Sequence, residues 1–142
     1  MILLDTNVVS EPLKPVAEPA VLAWLDRQNI ETLFLATISL AELRYGVAAL
    51  PEGRRKVGLT GALNERLIAL FGPRILVFDM AAAGAYAVIR ARAKMTRKAI
   101  GAADGYIAAI ATAHGFAVAT RDTTPFEAAG VPVVNPWQDG SF

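Results

Sequence analysis

Four acidic residues of this chain are spaced so that their carboxylates could act together: Asp5, Glu42, Asp104 and Asp122. They stand out among thirteen Asp and Glu by what surrounds them. Asp5 closes the apolar run Ile2-Leu3-Leu4, which reads as a strand buried on both faces. A charge directly behind such a strand needs a partner, because an apolar interior does not accept it alone. Glu42 falls in the first turn of a helix expected to open at Ser39, and Asp104 in the first turn of a helix over residues 102–113. Asp122 follows by two residues a strand expected to end at Thr120, and the hydroxyls of Thr6 and Thr120 lie between the acids.

Gathering carboxylates is costly. Two of them about 4 Å apart repel by about 4 kcal/mol at an effective dielectric of 20, so a cluster raises its own pKa values or recruits a cation. The chain has no Cys and one His, His114, which leaves an oxygen-only donor set suited to Mg²⁺ or Mn²⁺. Such an ion binds a phosphate oxygen and acidifies water, so metal-assisted phosphodiester hydrolysis is the reaction class these residues point to.

The elements that must position the acids follow from periodicity. Strands are expected at Ile2–Leu4, Leu33–Thr37, Ile75–Phe78, Phe116–Thr120 and Val131–Val134. Helices are expected over residues 16–28, from Ser39 to about Leu50, from about Gly53 to Phe71, over 80–95 behind an Asp79 N-cap, and over 102–113 with Gly115 as a left-handed cap. Asn7 to Pro15, broken by Pro12 and Pro15, holds at most a turn of helix. Alternating strands and helices predict a three-layer α/β/α sandwich around a mostly parallel sheet of four to five strands. In that geometry strand ends and the first turns of following helices share one edge, which is where open α/β folds place their sites.

Each acid also has a purely structural role open to it. Ser39-Leu40-Ala41-Glu42 fits a capping box. Asp104 suits the positive end of a helix dipole, and Asp122 could form a turn before a Thr124-Pro125 helix start. Glu11, Glu18, Asp26, Glu31, Glu52, Glu65, Glu127 and Asp139 read as loop or solvated acids. Among the cations, Arg90, Lys94, Arg97 and Lys98 share one side of a helix and its end, with Arg92 nearby. Such a stripe is either a solvated face or, with Lys98 six positions before Asp104, a hold for phosphates beside the acids by Lys94, Arg97 and Lys98. Arg54-Arg55-Lys56 carries the same ambiguity, Arg44 points away from Glu42, His114 is expected to cap helix carbonyls, and Trp24 and Trp137 to pack.

Composition sets the outer bounds. The 142 residues suffice for one domain with a real core. They are 54% hydrophobic, which suits a sheet covered on both faces plus an apolar patch for self-association into a homodimer. No apolar run approaches the ~18 residues of a membrane span. A strand from residue 2 leaves no place for a signal peptide, and the absence of Cys fits a cytoplasmic setting. A net charge of +1 neither requires nor excludes nucleic acid.

Taken in order, Leu4-Asp5-Thr6-Asn7, Ser39-Leu40-Ala41-Glu42-Leu43, Ala103-Asp104-Gly105-Tyr106-Ile107-Ala108-Ala109 and Ala119-Thr120-Arg121-Asp122 resemble the four acidic motifs of PIN-domain nucleases. More narrowly they are similar to VapC/FitB-type toxins, through to the Asn135-Pro136-Trp137 ending. The resemblance implies a PIN-like fold and a Mg²⁺- or Mn²⁺-dependent ribonuclease, the toxin of a toxin–antitoxin pair. It implies metal ligation by Asp5, Glu42, Asp104 and Asp122, with Thr6 and Thr120 as supporting polar contacts. It also implies a homodimer, and a small DNA-binding antitoxin whose C-terminal segment covers the acidic site. Many relatives carry a further acid three residues beyond Asp122; here that place is Pro125, which favours one tightly held ion over two. Two other readings compete: a PIN fold that only binds RNA or a partner, and a receiver-type phosphoacceptor domain with Asp79 as acceptor. The receiver lacks a second acid beside Asp5 and a Lys after Lys98.

Overall fold

A computed structural model describes residues 1–138. Its five strands are β1 (Ile2–Leu4), β2 (Leu33–Ala36), β3 (Ile75–Leu76), β4 (Ala117–Ala119) and β5 (Val133–Val134). All pair in parallel, in the order β3-β2-β1-β4-β5. The chain lays β2 and β3 on one side of β1, then returns to place β4 and β5 on the other. The strand order therefore reverses between β1 and β4, which opens a crevice at their carboxyl ends.

The helices are α1 (Thr6–Ser10), α2 (Pro19–Arg27), α3 (Thr37–Ala48), α4 (Arg54–Gly61), α5 (Ile68–Phe71), α6 (Met80–Thr96), α7 (Ala102–His114) and α8 (Thr124–Ala128). Two cores flank the sheet, as the expected three-layer arrangement requires. Leu4, Leu35 and Ala119 pack with Val8, Trp24, Leu43, Leu63 and Phe71 on the side of α1 to α5. Leu3, Ala36 and Val118 pack with Ile89, Ile107, Ile110 and Phe126 on the side of α6 to α8. Adjacent strand residues thus feed opposite cores, the period-2 alternation of a pleated strand. The helix α7 is rich in small residues because α6 lies close against it: a Cβ on Gly105 would stand 3.2 Å from Cε2 of Tyr86.

Several boundaries differ from the sequence expectation. The segment after β1 holds α1 followed by a 3₁₀ turn over Glu11–Leu13. The second helix starts at Pro19, a residue whose fixed φ suits a first helical position. The strand β3 is an edge strand of two residues, and Val77 and Phe78 leave it as exposed chain. The expected helix from 53 to 71 is interrupted by π-helical turns at Ala62–Leu67. The last helix is preceded by Thr123, and Pro125 occupies its second position. Asp79 caps α6 through the Ala82 N–H, and Gly115 ends α7 at φ +70°, both as expected. Trp24 is buried and Trp137 packs against the α1–α5 core.

Candidate active site

The strand β1 delivers Asp5 to the crevice. Its N–H extends the ladder by donating to the Ala119 carbonyl at 2.9 Å, which pins it where β1 and β4 part. Its Oδ1 accepts the Thr6 N–H at 2.8 Å and so caps α1, and its Oδ2 accepts the Thr120 hydroxyl at 2.8 Å. Asp5 is only 6% exposed. Burial holds its carboxyl above the ordinary 3.8, the bonds from Thr120 and Thr6 oppose that rise, and the charges of Glu42 and Asp122 add to it.

Thr6 joins two of the acids: while its N–H serves Asp5, its hydroxyl donates to Oε1 of Glu42 at 2.8 Å. The expected position of Glu42 needs correction. The chain passes from β2 straight into α3 at Thr37, so Glu42 is the sixth helical residue and stands outside the first turn. Ser39 lies inside the helix with its Oγ buried and without a hydrogen-bond partner, which removes the capping-box role. The β-branched pair Thr37-Ile38 mimics a strand end, and this misplaced the boundary.

Asp104 occupies the first turn of α7 and is half-buried. Burial, followed by the charges of Asp5, Asp122 and Glu42, pushes its carboxyl up to about 6. Those causes locate it: Asp104 lies within the fields of all three other acids. Asp122 is exposed on the loop after β4. That loop is held by two residues for which the sequence alone suggested no role. Asn7 Oδ1 accepts the Arg121 N–H at 3.4 Å, and Asn135 Nδ2 donates to the Arg121 carbonyl at 3.3 Å. The Arg121 guanidinium sits 5.3 Å from the Trp137 ring centroid, closing the same corner. The local signal was an Asn near a strand's carboxyl end: Asn135 follows β5 directly, and Asn7 stands three residues after β1.

Among the described residues none of the four acids is paired with a cation. Among the described residues the ion pairs are Lys14–Glu11 at 3.0 Å and Lys56–Glu52 at 2.8 Å. Glu11 is therefore buried and paired, where a solvated acid was expected. Nor, among the described residues, are three His, Asp or Glu side chains drawn closely enough to hold a metal ion as they stand. The donor chemistry nevertheless fits a hard divalent cation: oxygen atoms only, mutually repelling, with no Lys or Arg to neutralise them. The side chains form an open acidic cluster, and enclosing an ion would require them to close inward.

The surroundings divide the remaining candidates. A groove of about 290 Å³ leads away from Thr6 and Glu42, walled by Leu13, Leu43, Leu59 and Leu63 with Arg55 at its side. Lys56 is committed to Glu52 and the Ala48 carbonyl, and Arg44 reaches Asn64 rather than Glu42. The His114 ring rests 5.2 Å from that of Phe116, so packing replaces the expected capping role. Asp79 spends its carboxylate on the N-terminus of α6, beside an edge strand and not at the crevice, which leaves no acceptor for a receiver-type reading. Asp139 lies outside the described residues.

Comparison with known proteins places the family and the fold. The PIN domain family profile matches residues 2–131. The chain is 54% identical over 138 residues to VapC ribonuclease Y4jK of Sinorhizobium fredii, covering 97% of this chain and 99% of that protein. It is 53% identical over 139 residues to Toxin FitB of Neisseria gonorrhoeae, covering 98% and 100% respectively. The crystal structure of FitAcB from Neisseria gonorrhoeae superposes with a TM-score of 0.94 at 53% identity, covering 97% of this chain and 99% of that one. With its parallel sheet and its four acids in motif order at one crevice, the chain belongs to the PIN-domain family, alongside toxins of the VapC/FitB type.

Proposed function

We propose that this chain is a Mg²⁺- or Mn²⁺-dependent endoribonuclease and the toxin of a toxin–antitoxin pair. The observation that carries the reading is the open cluster of Asp5, Glu42, Asp104 and Asp122, mutually repelling and without a cationic partner among the described residues. When bound there, a divalent cation supplies positive charge for the phosphate and acidifies water. The protein's own groups prepare the place. Thr120 and Thr6 each donate to a different oxygen of Asp5, which fixes the plane of its carboxylate. The Thr6 hydroxyl sets Glu42 relative to Asp5, and Asn7 with Asn135 hold the loop that carries Asp122. Asp104, raised to about 6, is mostly ionised at neutral pH.

The antitoxin reading rests on relatives: FitAcB is a close structural neighbour, and a second neighbour is FitAB bound to a DNA fragment. The apolar groove running from Thr6 and Glu42 suits a peptide segment that would cover the acids from one side. Exposed Val77, Met80, Val88 and Met95, on and beside α6, support homodimerisation. A cytoplasmic setting fits these partners, and no helix among the described residues is long and apolar enough to cross a membrane.

Purified protein should cleave single-stranded RNA with Mg²⁺ or Mn²⁺ and lose that activity in EDTA. Asp5→Asn should abolish cleavage while the protein keeps its far-UV circular dichroism. Cleavage that survives EDTA, or an Asp5→Asn protein as fast as wild type, would remove the four-acid site from the mechanism. A folded protein that binds RNA with metal present but never cuts it would favour the non-catalytic reading.

A further inference from the structure

Beside the acidic crevice lies a basic cleft that nothing in the site described so far uses. It measures about 640 Å³ and is formed by the C-terminal half of α6 and the connection into α7, with Arg90, Lys94, Arg97, Lys98 and Ile100 in its lining. The four cations expected to share one side of the helix and its end thus open onto one hollow. None of them is paired with an acid among the described residues, where Lys14 and Lys56 make the ion pairs.

Helix ends attract cations through the dipole, and this accounts for a Lys or Arg near residue 96. It does not account for Arg97 itself. Arg97 is the one non-glycine among the described residues with a positive φ, at 55°. It terminates α6 in the left-handed conformation, where glycine is the unstrained choice. A long cationic side chain stands where the backbone favours none.

Arg90 connects this cleft to the acids. Its Nη1 donates to the Ile100 carbonyl at 3.1 Å, its guanidinium carbon lies 5.7 Å from the Tyr86 ring centroid, and its Cδ would stand 3.6 Å from a Cβ on Gly105. It therefore braces the turn from which Asp104 projects. Ile100 precedes Asp104 by four residues, at most about 14 Å of chain, so one polyanionic strand can meet both places. We infer that the cleft is a phosphate-binding subsite, in which Lys94, Arg97 and Lys98 hold the RNA backbone beside the bond to be cut. This inference rests on the ribonuclease reading and extends it: cations next to a repelling acidic cluster offset the repulsion of an incoming polyanion.

The test uses the full chain and a fluorescein-labelled single-stranded 12-mer RNA of mixed sequence. Anisotropy measures binding across a NaCl series with Ca²⁺ in place of Mg²⁺, and cleavage is timed separately with Mg²⁺ or Mn²⁺. The Lys94→Gln/Arg97→Gln/Lys98→Gln variant should bind more weakly, with the slope of log Kd against log salt reduced by about 2, from about 0.7 per phosphate contact on a single strand. Its KM should rise about tenfold or more while kcat stays within about twofold, because the cleft holds substrate without touching the reacting atoms. Arg97→Gly guards against a folding defect: relief of the left-handed residue should leave its Tm equal or higher, and loss of one phosphate contact should still weaken RNA binding about three- to tenfold.

Unchanged RNA affinity and salt slope in both variants would overturn the subsite. So would poly-glutamate displaced by the same substitutions while cleavage kinetics remain those of wild type, because the cleft would then serve an acidic polypeptide. A wild-type protein that binds the 12-mer through these residues yet never cleaves it would instead overturn the ribonuclease reading, so the two failures are distinct.

Discussion

Replacing Asp104 by Asn should make the metal-free protein more stable while abolishing its cleavage of RNA. Asp104 stands at about 6 in the folded chain against an ordinary 3.8. Because the folded-state value is the higher, the folded protein holds that proton more tightly than the unfolded chain. The site is neutral in its effect on stability below pH 3.8; its cost accrues as pH rises to about 6 and is complete above it. At 1.36 kcal/mol for each pKa unit the full cost would be about 3 kcal/mol. Partial exposure and screening reduce this to about 1–2 kcal/mol. The amide also forfeits part of the dipole interaction at the start of α7, about 0.3–1 kcal/mol, so a net gain of about 1 kcal/mol is expected at pH 7.5. Scanning calorimetry or urea denaturation in EDTA measures it; for a chain of this length it corresponds to a Tm about 3–5 °C higher. The gap should narrow steadily as the pH is lowered toward 4. Addition of Mg²⁺ should reverse the order, because a cation that binds the folded wild type stabilises it by mass action and has lost a ligand in the variant. An Asp104→Asn protein no more stable than wild type at pH 7.5, or a gap that widens in acid, would refute the clustering of charge on which the site rests.

Two further substitutions probe the frame around that charge. Thr120→Val removes a fully buried hydroxyl that donates to Asp5; loss of a hydrogen bond to a charged group should cost about 1.5–3 kcal/mol in chemical denaturation at pH 7.5. That cost should shrink as the pH is lowered and the Asp5 carboxyl, held above its ordinary range by burial, takes up a proton. Gly115→Ala places a side chain at φ +70° with open space around its Cβ, so only backbone strain is added. A loss of about 1 kcal/mol in thermal unfolding with unchanged RNA cleavage is expected, and an effect on cleavage would contradict the assignment of Gly115 as a simple helix stop.

Much of this protein was legible in the chain because its signals are local. Buried parallel strands are short apolar runs, and each of the five strands falls within its expected run, Ile2–Leu4 over its full length and the other four shortened at one or both ends. Asp79 and Gly115 act as the caps their types suggest, since capping depends on a few adjacent backbone groups. The errors have the opposite origin. The start of α3 is set by how β2 meets the helix and not by Ser39, so a good capping pattern proved irrelevant. Glu11 became buried because Lys14 is one 3₁₀ turn away to pair with it. His114 found a ring to pack against before it found a carbonyl.

The sequence by itself determined the architecture: an alternation of strand and helix makes a parallel sheet whose strand ends and helix starts share one edge. Only the tertiary structure decided how they are joined there. The Thr6 hydroxyl reaching Glu42, Thr120 reaching back across the sheet to Asp5, and Asn7 and Asn135 clasping the Arg121 backbone link residues separated in the chain. Such bonds depend on the strand order β3-β2-β1-β4-β5. No periodicity encodes that order, because the placement of β4 beside β1 is settled by the packing of both sheet faces together.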